Sequence, residues 1–517
     1  MTKSIVPDFA SPSKRNPFPY VEAIYREEAL TAFKGHPYIC ALPPIPDLPT
    51  LRKALNVLPP FKEEERDLPA SRRIQLLGQL RKLFIAFPRV VRLAQAMLTM
   101  LHAGYEHRRP FSTEDNASLQ ALYKAQMTGK FVSAEQTDLA YQVSLALVAM
   151  SGCGKSFGLR HIVGLVPPVI YHPELGKWQL PFLYVEMAYD GKSAHTMATA
   201  IVNELDRLLP DAGYGEMFKG AGNAEQRLIK VLSTARSHGL GMLIIDEGQN
   251  KPAQTAARSV KNKERTDPMP LAKLLITACN TAKVPLMFSG TPELMELMGP
   301  RFTKARRGSG DGSAFWENLT RSQPGETGEF ESMLRILLKY QWVRNPVTFT
   351  EELADCMFEY TQGVPDMVVK LWRAAQTLAI NSGVETIDGT IIANAFEAEF
   401  KLAERGLLSL KHRGRLAADT VSDLISPMAN VADLCAGEFA VPTPLEPIGV
   451  KKAVGVAAQK SSTAAAKSRP KSGKALRAAP GPTPVAICDE VIAAADIRGA
   501  VPGEGKLVVA TPEDLLQ

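Results

Sequence analysis

Ala149-Met150-Ser151-Gly152-Cys153-Gly154-Lys155-Ser156 lies between an apolar run, Val143–Met150, and a stretch with helical spacing, Phe157–Val163. Strand, glycine turn and helix in that order make a phosphate-binding loop. The glycines let the backbone fold its N–H groups around a polyphosphate, and the helix start adds a favourable dipole. Lys155 has the reach for the β- and γ-phosphates, and the Ser156 hydroxyl is placed to ligate Mg2+. The expected nucleotide-binding residues are Ser151, Gly152, Cys153, Gly154, Lys155, Ser156 and Phe157. One position departs from the usual pattern: Ala149 stands where the first glycine is expected, and Gly152 relieves the loop.

A second apolar run, Met242–Asp246, ends in the pair Asp246-Glu247. A carboxylate at such a strand end is suited to hold Mg2+ through its water shell, and the next to orient and activate an attacking water. Asp246 and Glu247 are the candidates for these roles, with Ser156 and Asp246 as the metal residues and ATP with Mg2+ as the expected ligands. A third run, Val284–Ser289, leads into Gly290-Thr291-Pro292-Glu293. Ser289 and Thr291 are candidate γ-phosphate sensors; a capped turn before a helix fits the same residues. Further on, Arg306 and Arg307 are candidates for an arginine that reaches a neighbouring subunit's γ-phosphate; a solvated basic loop is the competing reading.

Four near-continuous apolar runs, Val143–Met150, Pro181–Met187, Met242–Asp246 and Val284–Ser289, alternate with helical patterns. Runs of this kind are parallel strands buried on both faces, so residues 141–325 are expected to form a doubly wound α/β core. Residues 1–140 are polar, broken by prolines at 43, 44, 46, 49, 59 and 60, and helical in part, over Arg72–Ile85 and Val90–Ala103; they are expected to be a partner-docking extension. Residues 326–408 have the pattern of a small helical lid, with Val368, Val369, Leu371, Trp372, Ala375 and Leu378 on one face. Residues 409–517 are expected to be a flexible tail, basic over 451–480, with a candidate acidic docking segment at the end.

Together these motifs resemble AAA+ ATPases, and more narrowly the TnsC/TniB regulators of bacterial DNA transposition. The resemblance spans roughly residues 30–400. It rests on His36–Pro43, Gly104-Tyr105 with Arg108-Arg109-Pro110, Met150–Ser156, Ile244–Gln249, Ser289–Glu293, Ala305–Gly308 and Leu338–Trp342. It implies a homo-oligomer, ring or filament, that binds ATP, assembles on duplex DNA without sequence preference and links a target-selector protein to transposase subunits. One motif departs from the pattern. AAA+ lids often carry a second sensing arginine after Gly-x-Pro, but Gly363-Val364-Pro365 is followed by Asp366, with Lys370 or Arg373 as candidate substitutes.

Two loops carry the expected DNA contacts: one with Lys192, one with Lys251, Arg258, Lys261, Lys263 and Arg265. Contacts of lysine and arginine with phosphates give affinity without sequence readout and weaken with salt; a solvated surface is the competing reading. The net charge of +6 permits such a partner without requiring it.

Several classes are excluded. No apolar run reaches membrane-spanning length, and the N-terminus lacks the apolar stretch of a secretory signal, so a cytoplasmic protein without a membrane partner is expected. The six cysteines form no CxxC pair and no zinc spacing. No helix-turn-helix, zinc finger or aromatic-rich RNA motif is present.

Overall fold

The computed structural model describes residues 20–28, 30–128, 144–187, 193–209, 213–218, 224–248, 271–292, 294, 313–323 and 325–411. Their centre is a seven-stranded sheet in the order β1-β3-β4-β5-β6-β2-β7. The strands are β1 (Tyr20–Glu22), β2 (Ser144–Ala149), β3 (Val169–His172), β4 (Lys177–Glu186), β5 (Leu240–Asp246), β6 (Leu286–Gly290) and β7 (Ser313–Trp316). Every neighbouring pair is parallel except β3 and β4, which form an antiparallel hairpin.

The apolar runs make strands because both sides of each are covered. Along β5 the side chains alternate between two cores: Met242 and Ile244 enter one, Leu243 and Ile245 the other, and all four are fully buried. A strand buried on both faces shows no polar alternation, which is why it reads as one continuous apolar run. One face is covered by α7 (Ala194–Leu208), α9 (Ala224–Ser237) and α10 (Leu271–Ala282), whose apolar stripes share a cluster with Leu183, Val185, Leu243 and Phe288. The short α8 (Tyr214–Met217) lies between α7 and α9 in the chain.

The other face is covered by α6 (Lys155–Val163) and by the N-terminal region. That region holds α1 (Pro37–Cys40), α2 (Leu48–Leu55), α3 (Ala70–Leu77), α4 (Pro88–Tyr105) and α5 (Thr113–Thr128); α1, α2 and α4 lie on this face, whereas Leu122 of α5 joins the cluster of α9 and α10 on the first face and α3 packs in the C-terminal helical domain. In α4, Val90, Val91, Ala94, Met97, Leu98 and Leu101 are buried together with Leu147, Phe182, Met242 and Met287 of the sheet. Residues 36–105, part of the expected docking extension, pack against this chain's own sheet and C-terminal helices through their amphipathic stripes.

The helical pattern expected over Arg72–Ile85 continues only to Leu77. A 3-10 segment, Gly78–Lys82, follows, and then the chain runs extended, with Phe84 bridged to Val57. The apolar residues beyond the helix serve another purpose. Leu77, Leu80, Leu83, Ile85 and Phe87 are buried in the core of the C-terminal helical domain. That domain comprises α11 (Glu329–Leu337), α12 (Glu351–Thr361), α13 (Pro365–Ser382), α14 (Gly389–Glu399) and α15 (Lys401–Lys411). It includes an irregular stretch, 338–350, where the sequence pattern implies helix throughout.

Polar contacts fix residues 61–87 to the helical domain. Arg73, 2% exposed, makes a two-pronged ion pair with Glu385 at 2.6 and 2.7 Å and donates to the Trp342 carbonyl at 2.8 Å. The Trp342 indole donates to Glu65 at 2.8 Å, and Phe61 meets the Trp342 ring edge-on. Within the domain, burial opposes ionisation of Glu331, yet the backbone N–H groups of Ser322 and Gly328 and the Arg321 guanidinium hold its carboxyl down at about 2.

Gly363 closes the domain onto the core. Its φ is +68°, its carbonyl accepts from Leu319 N–H at 2.8 Å, and a Cβ there would come within 1.8 Å of the Leu319 carbonyl oxygen. Gly363→Ala is expected to lower the unfolding free energy by about 2 kcal/mol, through a forbidden backbone region and a backbone overlap. A denaturant midpoint unchanged from wild type would show that this turn bears no load.

Candidate functional site

β2 ends at Ala149, and the chain turns through residues 150–154 into α6. Gly152 and Gly154 take φ of +79° and +85°, the left-handed region that costs glycine nothing. A Cβ on Gly154 would meet nothing within 4 Å, so the loop encloses open space there. Residues 151–157, the full set expected to bind nucleotide, line one cavity of about 680 Å³. Its other walls are Phe84, Phe87, Arg89, Glu247, Trp316 and, from α13, Asp366, Lys370 and Arg373.

Four residues from distant parts of the sequence converge beside the loop. Lys155 Nζ donates to Glu247 Oε1 at 2.7 Å, and Ser156 Oγ lies 3.5 Å from the same oxygen. Asp246 ends β5 and is 1% exposed. Burial disfavours its charge, but the neighbouring hydroxyls of Ser156, Tyr184 and Ser289 and the nearby Lys155 ammonium outweigh this and leave its pKa below the usual carboxylate value. Asp246 is therefore an ionised acceptor at neutral pH. Glu247 has φ of +54°, unusual for a non-glycine residue, and its N–H donates to Asp246 Oδ1 at 2.9 Å. The backbone twist separates the two carboxylates: one stays in the sheet, the other turns to Lys155.

The third strand contributes Ser289, fully buried, whose carbonyl accepts from Gly248 N–H at 2.8 Å and so ties β6 to the Asp246-Glu247 turn. Thr291, the alternative sensor candidate, is buried in the following turn, with its carbonyl accepting from Leu294 N–H at 2.9 Å. Arg306, Arg307, Lys192, Lys251, Arg258, Lys261, Lys263 and Arg265 lie outside the described residues.

The arrangement fits a nucleoside triphosphate with Mg2+. Backbone N–H groups at a glycine turn, a helix start and an ammonium meet phosphate charge; a hydroxyl and an ionised carboxylate are hard oxygen donors of the kind Mg2+ takes. Among the described residues no group of three His, Cys, Asp or Glu side chains is placed to cage a metal.

Residues 139–298 match the family model described as AAA domain. The core has the AAA+ P-loop fold. Among solved structures, the Thermotoga maritima RuvB Holliday junction branch migration motor is similar at 16% identity, over 64% of this chain and 90% of that one, with a TM-score of 0.29. The Aeropyrum pernix ORC2 protein is similar at 12% identity, over 63% and 86%, with a TM-score of 0.31. Drosophila ORC bound to DNA is similar at 10% identity, over 65% and 83%, with a TM-score of 0.30. No curated protein sequence matches the chain.

In this AAA+ core the sheet order places β2, β5 and β6 side by side, so their C-terminal ends bring Lys155, Asp246, Glu247 and Ser289 together. Ligands of open α/β sheets bind at such ends. At the expected second-sensor position, Asp366 N–H donates to the Gly152 carbonyl at 3.2 Å, and the Asp366 carboxylate pairs with Lys370 at 2.6 Å. The backbone at Asp366 thus braces the start of α13 against the phosphate loop, while its carboxylate is held within the helix by Lys370. Sequence reasoning missed Tyr184 and the wall formed by Phe84, Phe87, Arg89 and Trp316. Tyr184 becomes visible only through strand register, and the wall only through the path of residues 78–87. No helix among the described residues is long and apolar enough to cross a membrane.

Proposed function

We propose that the chain is an ATP hydrolase of the AAA+ type that assembles as a homo-oligomer on duplex DNA. The observation that carries the reading is the convergence of Lys155, Ser156, Asp246 and Glu247 at one cavity, although Lys155 and Glu247 are 92 residues apart in sequence. In this reading the loop N–H groups and Lys155 bind the β- and γ-phosphates. Ser156 and Asp246 hold Mg2+, which when bound neutralises charge developing on the phosphates. Glu247 orients a water toward the γ-phosphate and takes its proton. Ser289 or Thr291 senses that phosphate, and Arg306 or Arg307 approaches it from the next subunit. Lys192, Lys251, Arg258, Lys261 and Lys263 touch DNA phosphates.

The narrower assignment is a regulator that couples a target-selector protein to transposase subunits in a Tns-type system. It is supported by the sequence stretches around the nucleotide motifs, above all His36–Pro43, Arg108-Arg109-Pro110 and Leu338–Trp342. A helicase loader or replication initiator shares the same ATP site and the same DNA, and a nucleotide-gated scaffold would bind ATP with little turnover.

With a non-hydrolysable ATP analogue, the purified protein is expected to form oligomers on duplex DNA of arbitrary sequence, weakening steeply as salt rises. Light scattering or electron imaging reads this directly. A monomer at low salt with nucleotide and DNA present would remove the assembly reading. Stimulation of transposition by an integrase-type transposase in a reconstituted reaction separates the transposition role from the loader or initiator.

A further inference from the structure

Asp246 is held from a side that the usual nucleotide motifs do not describe. β4 runs parallel to β5, with Tyr184 opposite Ile244 and Glu186 opposite Asp246. On a strand, residues two apart share a face, so Tyr184 lies on the Asp246 side and its phenol reaches forward along the sheet. The Tyr184 hydroxyl donates to Asp246 Oδ2 at 2.5 Å. The other oxygen, Oδ1, accepts the Glu247 N–H at 2.9 Å. Each carboxylate oxygen has two lone-pair sites, so these two hydrogen bonds fix the carboxylate plane without exhausting its capacity to accept from a metal-bound water.

The ring of Tyr184 is itself held. It packs against the sheet core on the α6 side, and the Arg160 guanidinium lies 5.8 Å from its centroid while pairing with Glu186 at 3.4 Å. Contacts from β4 and α6 therefore set where the hydroxyl points. Partners of this kind orient a metal ligand, and their loss typically costs ten- to a hundredfold in metal affinity or activity.

We propose that Tyr184 is a positioning residue for Mg2+ held at Asp246. The inference rests on the ATP-site reading and adds a residue from outside its motifs. Removing the hydroxyl frees Asp246 Oδ2 to rotate, so Tyr184→Phe weakens the metal without touching the groups that bind phosphate.

The test uses the full-length chain and a fluorescent non-hydrolysable ATP analogue, titrated in EDTA and across a Mg2+ series. In wild type, Mg2+ is expected to tighten analogue binding with a defined midpoint. In Tyr184→Phe that midpoint should rise about tenfold or more, while affinity in EDTA stays within about twofold of wild type. A hydroxyl that merely stabilises the fold would lower the melting temperature and leave the Mg2+ midpoint in place, and that result overturns the proposal. Should Tyr184→Phe not be recovered folded, Tyr184→Met, which also lacks a donor, is titrated with the same expected and overturning results. Wild-type protein that binds no analogue overturns the ATP reading as a whole; wild-type binding with an unmoved midpoint in the variant overturns only the role of Tyr184.

Discussion

Lys155→Ala is expected to weaken ATP binding by about 100-fold or more. A hydrogen bond to a charged group contributes roughly 1.5–3 kcal/mol, and each 1.4 kcal/mol is about a factor of ten in affinity. Two effects add in this site. The ammonium that would meet the phosphates is lost, and it is also the group 2.7 Å from Glu247 Oε1. Without it the Glu247 carboxylate faces the triphosphate with one positive charge fewer between them. The Lys155 side chain is 11% exposed, so water screens this repulsion only in part. Titration with a fluorescent ATP analogue reads the change. Affinity equal to wild type would mean that phosphate binds elsewhere and that residues 151–156 form an ordinary turn.

Glu247→Gln is expected to lower kcat about 1,000-fold while leaving ATP affinity close to wild type. General-base catalysis contributes roughly 100- to 10,000-fold, and glutamine keeps the size and hydrogen-bonding reach of glutamate while losing the proton acceptor. The backbone at φ +54° and the N–H bond to Asp246 involve no side-chain charge on Glu247, so the turn survives the change. The variant should hold ATP unhydrolysed and keep its assemblies on DNA, visible as complexes that persist through a chase with competitor DNA. Hydrolysis at the wild-type rate would remove Glu247 from the reaction.

The core strands were legible because of their burial. β2, β4, β5 and β6 lie inside the sheet with helices on both faces, and continuous apolar runs are the signature of that environment. β1, β3 and β7 were not seen. They are three, four and four residues long, too short for any periodicity to register. The phosphate loop and the acidic pair were legible because glycine, lysine and paired carboxylates at a strand end have few other uses together. Their contact was not, since no sequence pattern reports which strand lies beside which.

The flanking stretches that carried the narrower resemblance turn out to be packing elements. The Tyr38 carbonyl accepts from the buried Gln179 amide at 2.9 Å. Tyr105 donates its hydroxyl to the Gly239 carbonyl at 2.7 Å, and Arg108 donates to the carbonyls of Leu240 and Gly241 at 2.6 and 3.1 Å. Trp342 is fully buried, with its backbone N–H on the Gln376 side chain at 2.9 Å. These residues tie the N-terminal region to β4 and β5 and fix Trp342 inside the helical domain. The absence of an arginine after Gly363-Val364-Pro365 was visible in the sequence; the backbone contact from Asp366 to Gly152 was not.

The path of residues 58–88 has a mechanical consequence. The chain leaves the sheet side after α2, is built into the lid through Phe87, and returns to the sheet as α4; it crosses again after β7. Three covalent tethers therefore join the two bodies, where a lid appended at the end of a domain has one. A single tether allows rotation about any axis through it, whereas three that are not in line leave little beyond a small rocking. Relative motion of the sheet and the helical domain is therefore expected to be short and stiff, and a pull applied at Tyr20 acts on the sheet, through β1, before it reaches the helical domain.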